Sequence, residues 1–94
     1  MIDYENIYFF ESREKRVFLN TDSAEYGFYD TLDQLEERLS ADFIRCHRSF
    51  LVNRNKIEKI FLSQNRLVLK GDFEIPLSRT YKPEIKEFMA RGNV

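Results

Sequence analysis

The sequence predicts a single, mainly β domain with two short helices. Three observations carry that reading. Phe and Tyr make up an aromatic share of 15% with no Trp, and such side chains favour half-buried pleated surfaces. The apolar runs are short and bounded by turn-forming residues. Only two segments repeat their apolar residues at helical spacing. At 94 residues the chain can build one modest core, so one domain is expected over residues 1–94.

Ile7-Tyr8-Phe9-Phe10 reads as a buried strand, followed by a polar loop, Glu11-Ser12-Arg13-Glu14-Lys15. Arg16-Val17-Phe18-Leu19 is a second strand, and Thr21-Asp22-Ser23 supplies side chains that bond the local backbone in a turn. Glu25 to Tyr29 is the return strand. Thr31-Leu32-Asp33-Gln34 fits a capping box, in which Thr31 receives an orphan N–H and Gln34 reaches back. Leu32, Leu35 and Leu39 then share one face of a helix over Thr31–Leu39, opposite a charged face read as solvated surface.

Phe43 to Val52 contains a strand, an interruption near His47–Ser49, and a second extended piece ending at the turn Asn53-Arg54-Asn55. Ile57–Leu62 and Leu67–Lys70 form a hairpin around Ser63-Gln64-Asn65. Gly71-Asp72 is a two-residue connection of type I′ or II′ into Phe73–Leu77. Pro83 suits the first turn of a final helix, in which Ile85, Phe88 and Met89 share a face and Gly92 marks the stop.

No apolar run approaches the roughly 20 residues of a membrane span. The opening Met1-Ile2-Asp3-Tyr4-Glu5 lacks the basic and apolar regions of a secretory leader. A single cysteine forms no internal disulfide and suits a reducing compartment. A cytoplasmic location is the expectation. The formal net charge of −1 argues against a nucleic-acid partner, but the distribution argues for one. Between Thr21 and Asp42 the acids Asp22, Glu25, Asp30, Asp33, Glu36, Glu37 and Asp42 face Arg38 alone. From Phe43 to Lys82 the order reverses: Arg45, Arg48, Arg54, Lys56, Lys59, Arg66, Lys70, Arg79 and Lys82 against Glu58, Asp72 and Glu74. One electropositive face on a neutral protein would be consistent with this, but charge alone slightly favours a surface on which both signs mix.

Catalysis finds little support. Cys46 and His47 are adjacent, and successive strand side chains point to opposite faces; Cys46 is read as a core residue. One His and one Cys do not supply the usual four-ligand zinc site, and three scattered glycines form no phosphate loop. No catalytic residue, metal or cofactor is expected. For His47 the preferred role is structural, bonding nearby backbone at the bend, with donation to a phosphate as the alternative. The basic residues carry more information because they fall in turns: Arg13, Lys15 and Arg16 in one loop, Arg45 and Arg48 in the central segment, Arg79 and Lys82 after the last strand. Rigidly held loops are common sites of binding groups, and Arg can bond two acceptors of guanine at once.

Phe43-Ile44-Arg45-Cys46-His47-Arg48-Ser49-Phe50-Leu51-Val52-Asn53 resembles the signature of the LytTR-type DNA-binding domain, the output domain of LytR/AgrA-like bacterial response regulators. Ile7–Ser12, Thr31–Glu36, Ile57–Ile60 and Ile75–Arg79 resemble its other segments in the same order, over roughly Ile7 to Phe88. The resemblance implies an elongated arrangement of small antiparallel sheets whose loops, not a recognition helix, enter successive major grooves. It implies base contacts from Arg13, Lys15, Arg16, Arg48 and Arg79. Arg45, Ser49, Thr80 and Lys82 would touch phosphate or hold the approach, and Asn53 would order its turn. It also implies a receiver domain or partner protein upstream and a homodimer on paired direct repeats of double-stranded DNA. Family domains carry another strand before the residues matching Ile7, so the first sheet is expected to lack one.

Two other classes stay open on the sequence. A protein-interaction module would use exposed sheet edges for strand addition. A single-strand nucleic-acid binder would stack bases on Phe or Tyr and tolerate many sequences.

Overall fold

The computed structural model describes residues 3–93. Among them run β1 (Phe9–Arg13), β2 (Arg16–Asn20), β3 (Glu25–Phe28), α1 (Leu32–Arg38), β4 (Phe43–His47), β5 (Phe50–Asn53), β6 (Ile57–Phe61), β7 (Arg66–Leu69), β8 (Phe73–Pro76) and α2 (Lys82–Ala90). They build two antiparallel sheets, one ordered β3-β2-β1-β5-β4 and the other β6-β7-β8. The mainly β expectation with two helices holds. The long axis is 32 Å against 24 and 23 Å, so the elongation is modest.

The middle of the larger sheet is buried on both faces, which explains why its strands read as near-continuous apolar runs. Alternate residues serve two cores. Phe10, Val17, Phe43 and Leu51 pack with Ile7 against Leu32, Leu35 and Leu39 on and beside α1. Phe9, Ile44, Cys46 and Val52 pack against Ile57, Leu67, Leu69 and Ile75 of the smaller sheet and Ile85 and Phe88 of α2. Period-2 side-chain alternation along one sheet thus joins both layers.

Several boundaries differ from expectation, each for a local reason. The loop at Glu11–Lys15 shortens to Glu14-Lys15, because β1 runs on to Arg13 and pairs it with Arg16. Glu14 and Lys15 have φ of 48° and 67°, the left-handed pair that a two-residue hairpin turn demands. That turn lacks the Asn or Gly that usually announces it. At α1, Thr31 Oγ1 accepts from the Gln34 amide at 3.2 Å as expected. The reciprocal bond comes from Asp30, whose carboxylate accepts the Thr31 amide at 2.7 Å, in place of Gln34. Three residues, Lys70 to Asp72, separate the paired Leu69 and Phe73, with φ of 80° at Gly71 and 63° at Asp72; the connection is not a two-residue turn.

Asn53 orders its turn as the sequence suggested. It is 2% exposed; its Nδ2 donates to the Ile7 carbonyl at 2.8 Å and the Tyr4 carbonyl at 3.3 Å, and its Oδ1 accepts from the Asn55 amide at 2.9 Å. One side chain therefore satisfies backbone groups of segments far apart in the chain. An apolar residue of similar size leaves buried backbone unpaired, so Asn53→Leu is expected to cost about 1–3 kcal/mol. Urea unfolding measures this; a variant as stable as the parent would show that the three bonds contribute nothing net.

Candidate nucleic-acid interface

Strand pairing decides where the basic turns lie. β1 and β5 run antiparallel with Glu11 opposite Phe50, and the Ser12 amide donates to the Ser49 carbonyl at 2.9 Å. The β1–β2 turn and the β4–β5 turn therefore leave the large sheet at the same end. A third connection joins them: the Ser78 amide donates to the Cys46 carbonyl at 2.9 Å, which seats the 3-10 turn Arg79–Tyr81 beside the end of β4. An open cleft of about 370 Å³ lies between the first two turns, lined by Ser12, Lys15, Asp30, Thr31, Leu32, Asp33, Arg45 and Arg48. Three chain segments distant in sequence thus bring their basic residues to one end of the molecule.

The expected contact residues do not present themselves alike. Arg13, Lys15, Arg48, Arg79 and Thr80 are exposed, and Arg16, Ser49 and Lys82 are partly buried. Among the described residues, Lys15, Arg48, Arg79 and Lys82 take part in no ion pair. Arg13 does: Nη2 lies 2.6 Å from Glu25 and Nε 3.5 Å from Glu11.

Arg45 stands apart, its side chain only 6% exposed. Four of its N–H groups are used within the fold. Nε donates to the His47 carbonyl at 2.8 Å and Nη2 to the Arg48 carbonyl, while Nη1 reaches Asp33 and Glu36, each at 2.9 Å. A buried guanidinium is tolerated because nearly every donor is satisfied by a carboxylate or a carbonyl. Its effect is to tie the β4–β5 turn to α1. The helix's charged face is therefore not merely solvated, as the sequence suggested, since two of its acids hold this arginine.

His47 fixes the same turn from the other side. Its Nδ1 accepts the Ser49 amide at 3.0 Å, and its ring meets Phe50 edge-on with centroids 5.7 Å apart. Burial, then the charges of Arg48 and Arg45, hold its pKa below the ordinary value. The structural role expected for His47 is the one seen. Cys46 is fully buried and its thiol is pushed up to about 12 by that burial, so it is a core thiol and not a poised nucleophile. The strict alternation expected at this dipeptide is broken by a register shift between Arg45 and His47, yet the two side chains keep separate partners: Cys46 Sγ meets the Pro76 carbonyl at 3.6 Å.

Sequence reasoning missed Tyr29, 82% exposed beside Arg16, and the two α1 acids. An amphipathic pattern says which face of a helix is polar, but not which distant side chain that face will meet. Among the described residues no helix is long and apolar enough to cross a membrane.

Comparison with known proteins bears on the family and the fold. The family model described as the LytTr DNA-binding domain matches residues 1–90. The sensory transduction protein LytT of Bacillus subtilis is 37% identical over 93 residues, 95% of this chain and 39% of the relative. The transcriptional regulatory protein YpdB of Escherichia coli is 38% identical over 89 residues, 89% of this chain and 36% of the relative. A solved LytTr DNA-binding domain from Bacillus cereus superimposes with a TM-score of 0.84 at 25% identity, covering 94% of this chain and 84% of that one. The chain spans less than two fifths of the length of these curated relatives.

The lowered pKa of His47 has a testable sign. The unfolded chain takes up the proton first as pH falls through about 6.5, so the stabilisation is full above that value and is lost below it. His47→Gln keeps an acceptor for Ser49 but cannot titrate. Between pH 7.5 and 5.5 the parent should lose stability relative to this variant in paired thermal unfolding curves. Parallel losses in both would mean that His47 does not titrate abnormally.

Proposed function

The chain belongs to the LytTR family of DNA-binding domains, and from that premise we propose that it reads double-stranded DNA in a sequence-specific way through three loops. The observation that carries this reading is the convergence of the β1–β2 turn, the β4–β5 turn and the Arg79–Tyr81 turn on one end of the large sheet. Uncommitted basic side chains stand on each. In this reading Arg13, Lys15, Arg16, Arg48 and Arg79 reach base edges in the major groove. Ser49, Thr80 and Lys82 contact phosphates, which set register and affinity without carrying sequence. Arg45, with four donors already engaged, holds the approach instead of touching the backbone of DNA.

The domain acts, in the same proposal, as the output part of a transcription regulator. Relatives named as sensory transduction and transcriptional regulatory proteins support this, as does the additional length they carry. A phosphoacceptor receiver domain upstream would supply the signal, and two copies would occupy direct repeats.

Selection from a randomised duplex pool at fixed, near-physiological salt tests the reading. A short enriched motif is expected, with two similar half-sites. Arg48→Ala and Arg79→Ala should each forfeit about 1–3 kcal/mol of discrimination at distinct base pairs. Lys82→Ala should weaken all sequences alike and lower the slope of log affinity against log salt by about one. Failure of the folded protein to enrich any motif would sink the proposal and favour a protein-interaction role; preference for single strands would favour base stacking.

A further inference from the structure

Arg16 is the partly buried one among the expected reading residues, and no polar partner explains its setting. Its Nε is buried without a hydrogen-bond partner, and among the described residues its guanidinium enters no ion pair. Aromatic faces hold it instead. The guanidinium carbon lies 5.2 Å from the Tyr29 ring centroid and 5.4 Å from that of Phe18. Arg13 lies 3.9 Å over the same Phe18 ring. The four side chains make a cluster in which Arg16 lies against Tyr29 and Phe18, and Arg13 against Phe18.

Gly27 makes room for this cluster. It pairs with Phe18 across the β2–β3 ladder, and a Cβ there would sit 2.8 Å from Arg16 Nη2 and 2.9 Å from Phe18 Cε1. A side chain there would force Arg16 or Phe18 to shift. Tyr29 closes the other side, and its 82% exposure shows that the contact is not part of core packing. A cation over an aromatic face is held without spending its N–H groups, which leaves the terminal donors of Arg16 for a ligand. Arg13, by contrast, is partly engaged by Glu25.

We propose that Tyr29 is a specificity-determining positioning residue, which with Gly27 and Phe18 seats Arg16 so that its planar donors meet a base edge in one orientation. The inference rests on the duplex-reading proposal above. It adds that recognition by the first loop depends on an aromatic residue outside that loop, at the end of β3.

The test measures binding of the folded domain to its selected duplex and to a panel with single base-pair changes, by fluorescence anisotropy at one salt concentration. Arg16→Ala first identifies the base pairs read through Arg16. Tyr29→Ala is then expected to lose about two- to fivefold in discrimination at those same pairs, with the pairs read through Arg48 unchanged. Tyr29→Phe should keep the parent's profile, because the ring face remains. Gly27→Ala should resemble Tyr29→Ala, and matched thermal unfolding curves confirm that each variant is folded. Unchanged discrimination in Tyr29→Ala at the Arg16-dependent pairs overturns the inference while leaving loop reading intact. So does a uniform loss over every base pair. Absence of any base preference in the parent overturns the duplex-reading proposal itself.

Discussion

The Arg45 guanidinium is the constraint on which the placing of the basic turns depends. It joins two backbone carbonyls of one turn to two carboxylates of a helix on the same side of the sheet. A turn of this kind has soft dihedral angles and no apolar side chain to bury, so burial alone would leave it free to move. Hydrogen bonds with a charged donor are directional and about twice as strong as neutral ones. The β4–β5 turn is thereby tied to α1 and not held by burial alone. Its neighbour follows, because the Ser12 amide bonds the Ser49 carbonyl.

The double-sided burial of the large sheet supplies the rest of the rigidity. Phe10 and Phe9 face different cores, as do Leu51 and Val52, so no strand of the middle can slip by one residue without exchanging both sets of contacts. The loops emerge from a frame whose register is fixed twice over. This is a different route from that of a recognition helix, where the reading residues and their support lie on one element. Here the support is long-range and the residues proposed to read DNA are local.

That division also explains what the sequence revealed. The strands, α1 with its Thr31 cap, the break near His47, the structural duty of His47 and the local bond from Asn55 to Asn53 were legible because each depends on neighbours within a few positions or on apolar period, whereas the bonds from Asn53 to Ile7 and Tyr4 were not. The ends of β1 and the Lys70–Asp72 connection were not. Glu14 and Lys15 are poor announcers of a left-handed turn, and cross-strand pairing overrode their preference. At the interface, the basic residues of each loop could be named, yet their convergence depends on the β1–β5 pairing and the Ser78–Cys46 bond, which join residues some 30 or 40 positions apart. The partners of Arg45 on α1 and of Arg16 at Tyr29 were invisible for the same reason.

The left-handed turn at Glu14-Lys15 has a kinetic consequence. A hairpin tip limited to two residues, closed by the Arg13–Arg16 pair, has few alternative shapes to search when it meets a groove. Under the proposed loop reading, its encounter with DNA should resemble insertion of a preset key more than folding of a flexible arm, so that mismatched sequences are released quickly instead of being accommodated. Scanning along a duplex would then be brisk, with residence time concentrated at sites where all three loops fit at once.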